Sequence, residues 1–274
     1  MIKTTNYDVL KGKLMSNKSP SLTRRHMIIP DTQIRPGVPL DHIEWAAKAI
    51  VDYKPDVIIV IGDWWDMPSC SKHNLPGSKQ TEGARFIEDI KVGNEAFRTL
   101  VAPMEAEQAR RKYKKWNPRK VFMFGNHEFR VDRAVSETPK LEGLLTRDDM
   151  LTPGFERHEF LEIVPIDGIW YSHYFSNTLS GRPVGGTIPN RLNKIGNSFV
   201  QGHQQGFLYG CQQYPGNLVR HGLVAGSFYL HDEEYRDVQS NGEWRGIVVL
   251  NEVRGDGSYD IMPLSMDYLR RRYS

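Results

Sequence analysis

Apolar runs that stop abruptly at an acid or a glycine recur along the first half of this chain. Residues 1 to 23 are polar and turn-rich, which predicts a flexible leader. The pattern changes at Arg24, where His26-Met27-Ile28-Ile29 runs into Pro30 and Asp31, the mark of a buried strand that delivers a carboxylate. Behind Asp41 and Glu44, whose separation resembles a capping box, Ile43, Ala46, Ala47 and Ile50 recur at helical spacing up to Pro55. The β-branched run Val57-Ile58-Ile59-Val60-Ile61 then predicts a strand covered on both faces, ending in Gly62-Asp63. The chain therefore opens with a βαβ unit.

From Thr81 to about Lys115 the pattern is helical, with Phe86, Ile90, Phe97, Leu100, Val101 and Met104 on one face and a bend expected at Pro103. Lys120 to Phe124 reads as a third strand, closed by Gly125-Asn126-His127, and 129 to 151 reads as helix plus loop, part of a cap. Strands are expected within 161–175, 197–202, 222–230, 244–253 and 257–264, with a turn at Arg254-Gly255-Asp256-Gly257. This order predicts an α/β sandwich: one domain over 24–274, with helical insertions at about 80–118 and 129–155.

Composition narrows the function classes. At 274 residues, 39% of them hydrophobic, the chain can bury a sizeable core, and it lacks the roughly 18 to 20 consecutive apolar residues that span a bilayer. No membrane partner is expected. Cys70 and Cys211 are too few for a disulfide framework and read as free thiols, and the basic N-terminal segment lacks a signal-peptide apolar stretch. Both point to the cytoplasm. A net charge of +3 suits an anionic substrate without requiring nucleic acid, and no oligomeric state follows from it.

Five short signals each follow an expected strand: Asp31-Thr32-Gln33, Gly62-Asp63-Trp64-Trp65-Asp66, Gly125-Asn126-His127-Glu128, Ser172-His173-Tyr174 and Gly202-His203-Gln204-Gln205. Alone, each reads as a cap, a turn or a satisfied polar residue. Together they place carboxylate, amide and imidazole at strand ends, the donor set that hard divalent cations require.

In motif order these segments resemble the calcineurin-like metallophosphoesterase superfamily. The resemblance implies a layered α/β/β/α fold with mixed sheets and a helical cap, and two divalent cations that activate a water for attack on a phosphate ester. It implies that Asp63 bridges both ions, that Asn126, His173 and His203 complete one site, and that Asp31, Gln33 and Gln205 complete the other. Gln33 and Gln205 stand where the family carries histidines; an amide oxygen is a harder donor than imidazole, which favours Mn²⁺ or Mg²⁺ over Zn²⁺ or Fe at that site. His127 would protonate the leaving oxygen, with Asp66 orienting it.

Protein phosphatases of this superfamily carry an arginine directly after the second acid, where this chain has Met67. Phosphodiesters of nucleotides or nucleic acid are therefore the preferred substrates, ahead of a serine/threonine phosphatase or a catalytically reduced nucleic-acid-binding member. Arg130 and Arg182 are candidate substrate ligands, beside His73 and Arg191, and Ser180 to Gly186 is a candidate flap. The basic stretch Arg110 to Lys120, with Tyr113 and Trp116, suits either a nucleic-acid backbone or a solvated helix terminus, the second being preferred. Arg270-Arg271-Arg272 reads as a solvated tail.

Overall fold

The computed structural model describes residues 23–71, 83–110, 116–232 and 242–274. The expected leader up to residue 22, His73, and Tyr113 with its flanking cations lie outside the described residues. In chain order, β1 (Arg24–Ile29), α1 (Asp41–Tyr53), β2 (Val57–Val60), α2 (Phe86–Arg110), β3 (Arg119–Met123), α3 (Arg130–Glu137) and β4 (Glu156–His158) form the first half. The second half contains β5 (Val164–Ile166), β6 (Ile169–Ser172), α4 (Ile188–Ile195), β7 (Phe199–Gln201), β8 (Phe207–Tyr214), β9 (Leu218–Ala225), β10 (Gly246–Val253), β11 (Asp260–Ser265) and α5 (Met266–Tyr273).

Two mixed sheets result. The first has the order β11-β10-β1-β2-β3-β4, with β1 to β4 parallel and β10 antiparallel to both neighbours. The second has the order β5-β6-β7-β9-β8, with β6, β7 and β9 parallel. Strand periodicity decides how they stack, because successive side chains point to opposite faces. Met27, Ile29, Ile58, Val60, Phe122, Ile247 and Val249 enter a core shared with α1, α2, α3 and α5. Their alternates Ile28, Val57, Ile59, Val121, Val248 and Leu250 meet Val164, Ile169, Tyr171, Val200 and Leu223 of the second sheet. Phe199 and Val224 face outward onto Ile188 and Leu192 of α4. The order is helices, sheet, sheet, helix, an α/β sandwich.

Several local expectations change. Asp41 and Glu44 form no capping box: Asp41 is already inside α1, the cap residue is Leu40, and both acids sit in the first turn, where they favour the helix dipole. Pro103 lies within α2, which continues to Arg110. The three C-terminal arginines are exposed, as expected, but lie in the last turn of α5 rather than in a tail. Arg272 donates to Asp52 at 2.7 Å and the Arg270 guanidinium lies 5.7 Å from the Trp45 ring centre, so α5 is fastened to α1. In the basic stretch, the Trp116 indole donates to the Pro55 carbonyl at 2.7 Å and Arg119 pairs with Glu156, which spends both on the fold. Among the described residues, no helix is long and apolar enough to cross a membrane.

Candidate metal centre

Parallel strands in one sheet end on the same edge, so the loops after β1, β2 and β3 emerge side by side, as do those after β6 and β7. The loop after β2 is anchored from behind. Trp64 and Trp65 are fully buried against Phe97, and their indoles donate to the Gly93 and Ile90 carbonyls of α2 at 3.0 and 3.2 Å. From in front, the buried Glu128 carboxylate accepts from the backbone N–H of Gly125 (2.7 Å), Trp65 (3.0 Å) and Asp63 (3.1 Å), tying two motif loops together. These anchors hold Asp63 in left-handed backbone conformation at φ 53°, and Gln33 and His203 share that region at φ 44° and 64°. Such conformations persist only where the surroundings over-determine them, and they concentrate at functional sites.

Asn126 Oδ1 lies 2.9 Å from His173 Nε2 and 2.7 Å from His203 Nδ1, and Asp63 Oδ1 lies 3.4 Å from the same His173 nitrogen. His173 Nδ1 donates to the Ile61 carbonyl at 2.9 Å, so a neutral ring turns its Nε2 lone pair toward two oxygens. Acceptors facing acceptors repel unless a proton or a cation lies between them. Burial opposes a charge on His173, but the Asp63 and Asp31 carboxylates outweigh it and lift its pKa to about 9. Asp63 is held far below the usual carboxylate range: burial works upward, and the neighbouring imidazoles of His127 and His173 prevail. A proton on His173 thus fills the place a cation would take. Ligand atoms of Asp63, His173 and His203 lie within 4.8 Å of one another, the spacing of a common metal.

Beside this cluster, Asp31 Oδ1 accepts from the His203 N–H at 3.1 Å, while Asp31 Oδ2 and Gln33 Oε1 are buried without a hydrogen-bond partner. Burial and the neighbouring Asp63 charge push the Asp31 pKa up to about 7. An orphaned carboxylate oxygen beside an orphaned amide oxygen is costly in a protein interior and is what a hard cation relieves. Gln205 is placed differently, its Oε1 accepting from the Tyr229 hydroxyl at 2.8 Å. The surrounding glycines are needed for space: a Cβ on Gly62 would meet His173 Nδ1 at 2.5 Å, and one on Gly125 would overlap Asp63 Oδ1. Asp63, His173 and His203, with Asn126 Oδ1 between the two rings, fit a metal ion, and the orphaned Asp31 and Gln33 oxygens beside them are of the donor type that a hard cation takes.

His127 Nδ1 donates to Asp66 Oδ1 at 2.9 Å, and Nε2 lies 3.7 Å from Asp63 Oδ2. Asp66 is held near 2: burial opposes its charge, but His127, Arg130 and Arg35 outweigh it. Arg130 donates to the Asp66 carbonyl at 2.6 Å and to His127 Nε2 at 2.9 Å. Arg35 donates to Asp66 Oδ2 at 2.9 Å, a position the sequence reading missed although it lies two residues past Gln33. Glu128 was part of a recognised motif, yet its role appears only in its contacts. Met67, where phosphatases carry arginine, is fully buried. Arg191 is buried, and its guanidinium donates to the Val184 and Gly186 carbonyls at 2.7 and 2.8 Å and to Gln204. Arg182 lies on an exposed loop, with no side-chain bond to the cluster. A scan against protein-family models and a search of the curated proteins return no match for this chain.

Proposed function

We propose that this protein is a metal-dependent phosphoesterase of the calcineurin-like type, acting on phosphodiesters of nucleotides or nucleic acid. One observation carries the reading: Asn126 Oδ1, His173 Nε2, His203 Nδ1 and Asp63 Oδ1 converge beside the orphaned Asp31 Oδ2 and Gln33 Oε1, with the His127–Asp66 pair alongside. The sheet order and helical layers are compatible with the layered fold that the motifs imply. One cation would be held by Asp63, Asn126, His173 and His203, the other by Asp63, Asp31 and Gln33, with Gln205 a further candidate; Mn²⁺ or Mg²⁺ suits the oxygen-rich side best. When bound, the pair supplies the positive charge that activates a water and neutralises phosphoryl oxygens.

The remaining chemistry belongs to the chain. Asp63 provides the anionic charge shared by both sites, and the His173 Nδ1 bond to the Ile61 carbonyl keeps Nε2 available for ligation. Asp66 fixes Nδ1 of His127, so Nε2 is the nitrogen left for the leaving oxygen; a proton held there passes to that oxygen as the P–O bond breaks. Arg35 and Arg130 put positive charge beside Asp66, on the side of His127, which favours an anionic ester. With Met67 buried after Asp66, the guanidinium of the protein phosphatases has no counterpart there, and diesters are preferred to phosphoproteins.

Hydrolysis of bis(p-nitrophenyl) phosphate and p-nitrophenyl phosphate with Mn²⁺ tests the reading. The diester is expected to turn over, and EDTA to abolish turnover reversibly. The engagement of Gln205 by Tyr229 favours a second reading, a nucleic-acid-binding relative with one weakened ion site. No hydrolysis of either ester, together with salt-sensitive binding of single-stranded DNA, would select that reading instead.

A further inference from the structure

The atom of His127 that faces the reaction is already covered. Guanidinium groups donate and never accept, so the 2.9 Å contact between the Arg130 guanidinium and His127 Nε2 makes that nitrogen the acceptor. The ring proton is then on Nδ1, given to Asp66 Oδ1 at 2.9 Å. A leaving oxygen would need the position at Nε2 that Arg130 holds. Arg130 is also the exchangeable partner of Asp66. Arg35 donates to Oδ2 at 2.9 Å and His127 to Oδ1, whereas Arg130 reaches Oδ1 only at 3.4 Å and relies on the Asp66 carbonyl at 2.6 Å. If Arg130 leaves, Asp66 keeps a guanidinium and an imidazole.

We propose that Arg130 is a positioning residue that latches His127 in the absence of substrate. An anionic phosphoryl oxygen draws the guanidinium off Nε2 and pairs with it, leaving that nitrogen free to take up a proton from solvent water and pass it to the leaving oxygen. The exchange is favourable because arginine gives up one carbonyl, one imidazole acceptor and a long 3.4 Å contact with the Asp66 carboxylate for a charge-assisted, fork-shaped pairing with phosphate. His127 is thereby kept in one tautomer at rest and uncovered only when an anion occupies the site. The purpose of uncovering rests on the phosphoesterase reading; the latch itself does not.

The test needs no turnover. Protein labelled with ¹⁵N in histidine and saturated with diamagnetic Mg²⁺ is read by long-range ¹H–¹⁵N correlation, with His127 assigned from a His127→Gln spectrum. At rest, Nδ1 is expected to carry the proton and Nε2 to be a bare acceptor. Saturating inorganic phosphate should move the Nε2 signal by several ppm. In Arg130→Gln that phosphate-dependent shift should vanish and phosphate should bind about tenfold more weakly. Arg130→Lys serves if the glutamine variant does not fold; it retains the charge without the fork and should bind phosphate with intermediate affinity and no Nε2 shift. A resting Nε2–H tautomer would overturn the latch, as would a phosphate shift that persists in either variant. Hydrolysis without the latch sinks this inference alone, and a working latch without hydrolysis sinks only the phosphoesterase reading.

Discussion

Buried acceptors without donors set the terms of the centre at the scale of single residues. Asp31 Oδ2 and Gln33 Oε1 have no partner, and Asp63 balances its charge against His173. Removing the Asp63 charge should therefore undo both of the proposed ion sites. Asp63→Asn is expected to lower Mn²⁺ affinity and turnover by more than the roughly 10–100-fold loss typical of outer-shell partners; calorimetric titration beside the diester assay reads both. Gln33→His combined with Gln205→His should raise Zn²⁺ affinity about tenfold or more, since imidazole is the softer donor, and an unchanged titration would remove the two glutamines from the ligand set. Glu128 acts through the backbone. In Glu128→Gln an amide N–H would face a backbone N–H donor, so a loss of about 1–3 kcal/mol in urea unfolding is expected.

At the scale of elements, Trp64 and Trp65, which follow Asp63, are held by one helix. Gly93 of α2 lies against the Trp65 indole, where a Cβ would overlap the ring. An exposed helical Gly→Ala change usually gains about 1 kcal/mol. Here the sign should reverse: Gly93→Ala is expected to cost about 1–3 kcal/mol by overpacking, seen as a drop in Tm of several degrees. The elements legible in the sequence were those with continuous apolar runs, β1, β2, β3 and β10, the strongly periodic α1 and α2, and, with looser bounds, α3, β6, β7, β9 and β11. Those missed have weak patterns for physical reasons. β8 is an edge strand with Gly210 and three glutamine or cysteine positions in a row after it, and among the described residues it pairs with β9 alone. α4 and α5 are eight residues each and bury only a few side chains, so their periodicity barely rises above that of a loop.

Across the whole molecule, two histidines in the cores couple stability to pH. His26, between the sheets, bonds to Tyr171 and Asp167; burial outweighs the carboxylate and pulls its pKa down to about 4. His42 packs edge-on against Phe228 with neither ring nitrogen hydrogen-bonded, and burial, with the charge of His231 second, pulls it to about 3. Above the unfolded value near 6.5 both rings are neutral in either state. As pH falls below that value, the unfolded chain binds protons that the native one refuses, so each ring removes about 1.4 kcal/mol per pH unit until its folded pKa is passed. Carboxylates that burial pushes up, such as Asp89 to about 6, work in the opposite direction within the same window. Comparing urea midpoints of wild type and His42→Leu between pH 7 and 5 isolates one ring. The leucine variant should show a shallower loss and about 1–2 kcal/mol more stability at pH 7, because two orphaned buried nitrogens are gone.

Sequence alone determined which strands end in chemistry. Continuous apolar runs and the polar residues that close them are local properties, written in adjacent residues, and they brought Asp31, Asp63, Asn126, His127, His173 and His203 into view as candidates. Tertiary structure alone decided what surrounds them. Arg35 and Asp66 are 31 positions apart, and Glu128 closes on backbone atoms 63 and 65 positions away. Whether an arginine lies against the candidate centre, as Arg130 does beside His127, or is consumed by carbonyls, as Arg191 is, depends on which distant strands the sheets bring together. No spacing along the chain encodes that choice, because it is made by packing two faces of a sheet at once.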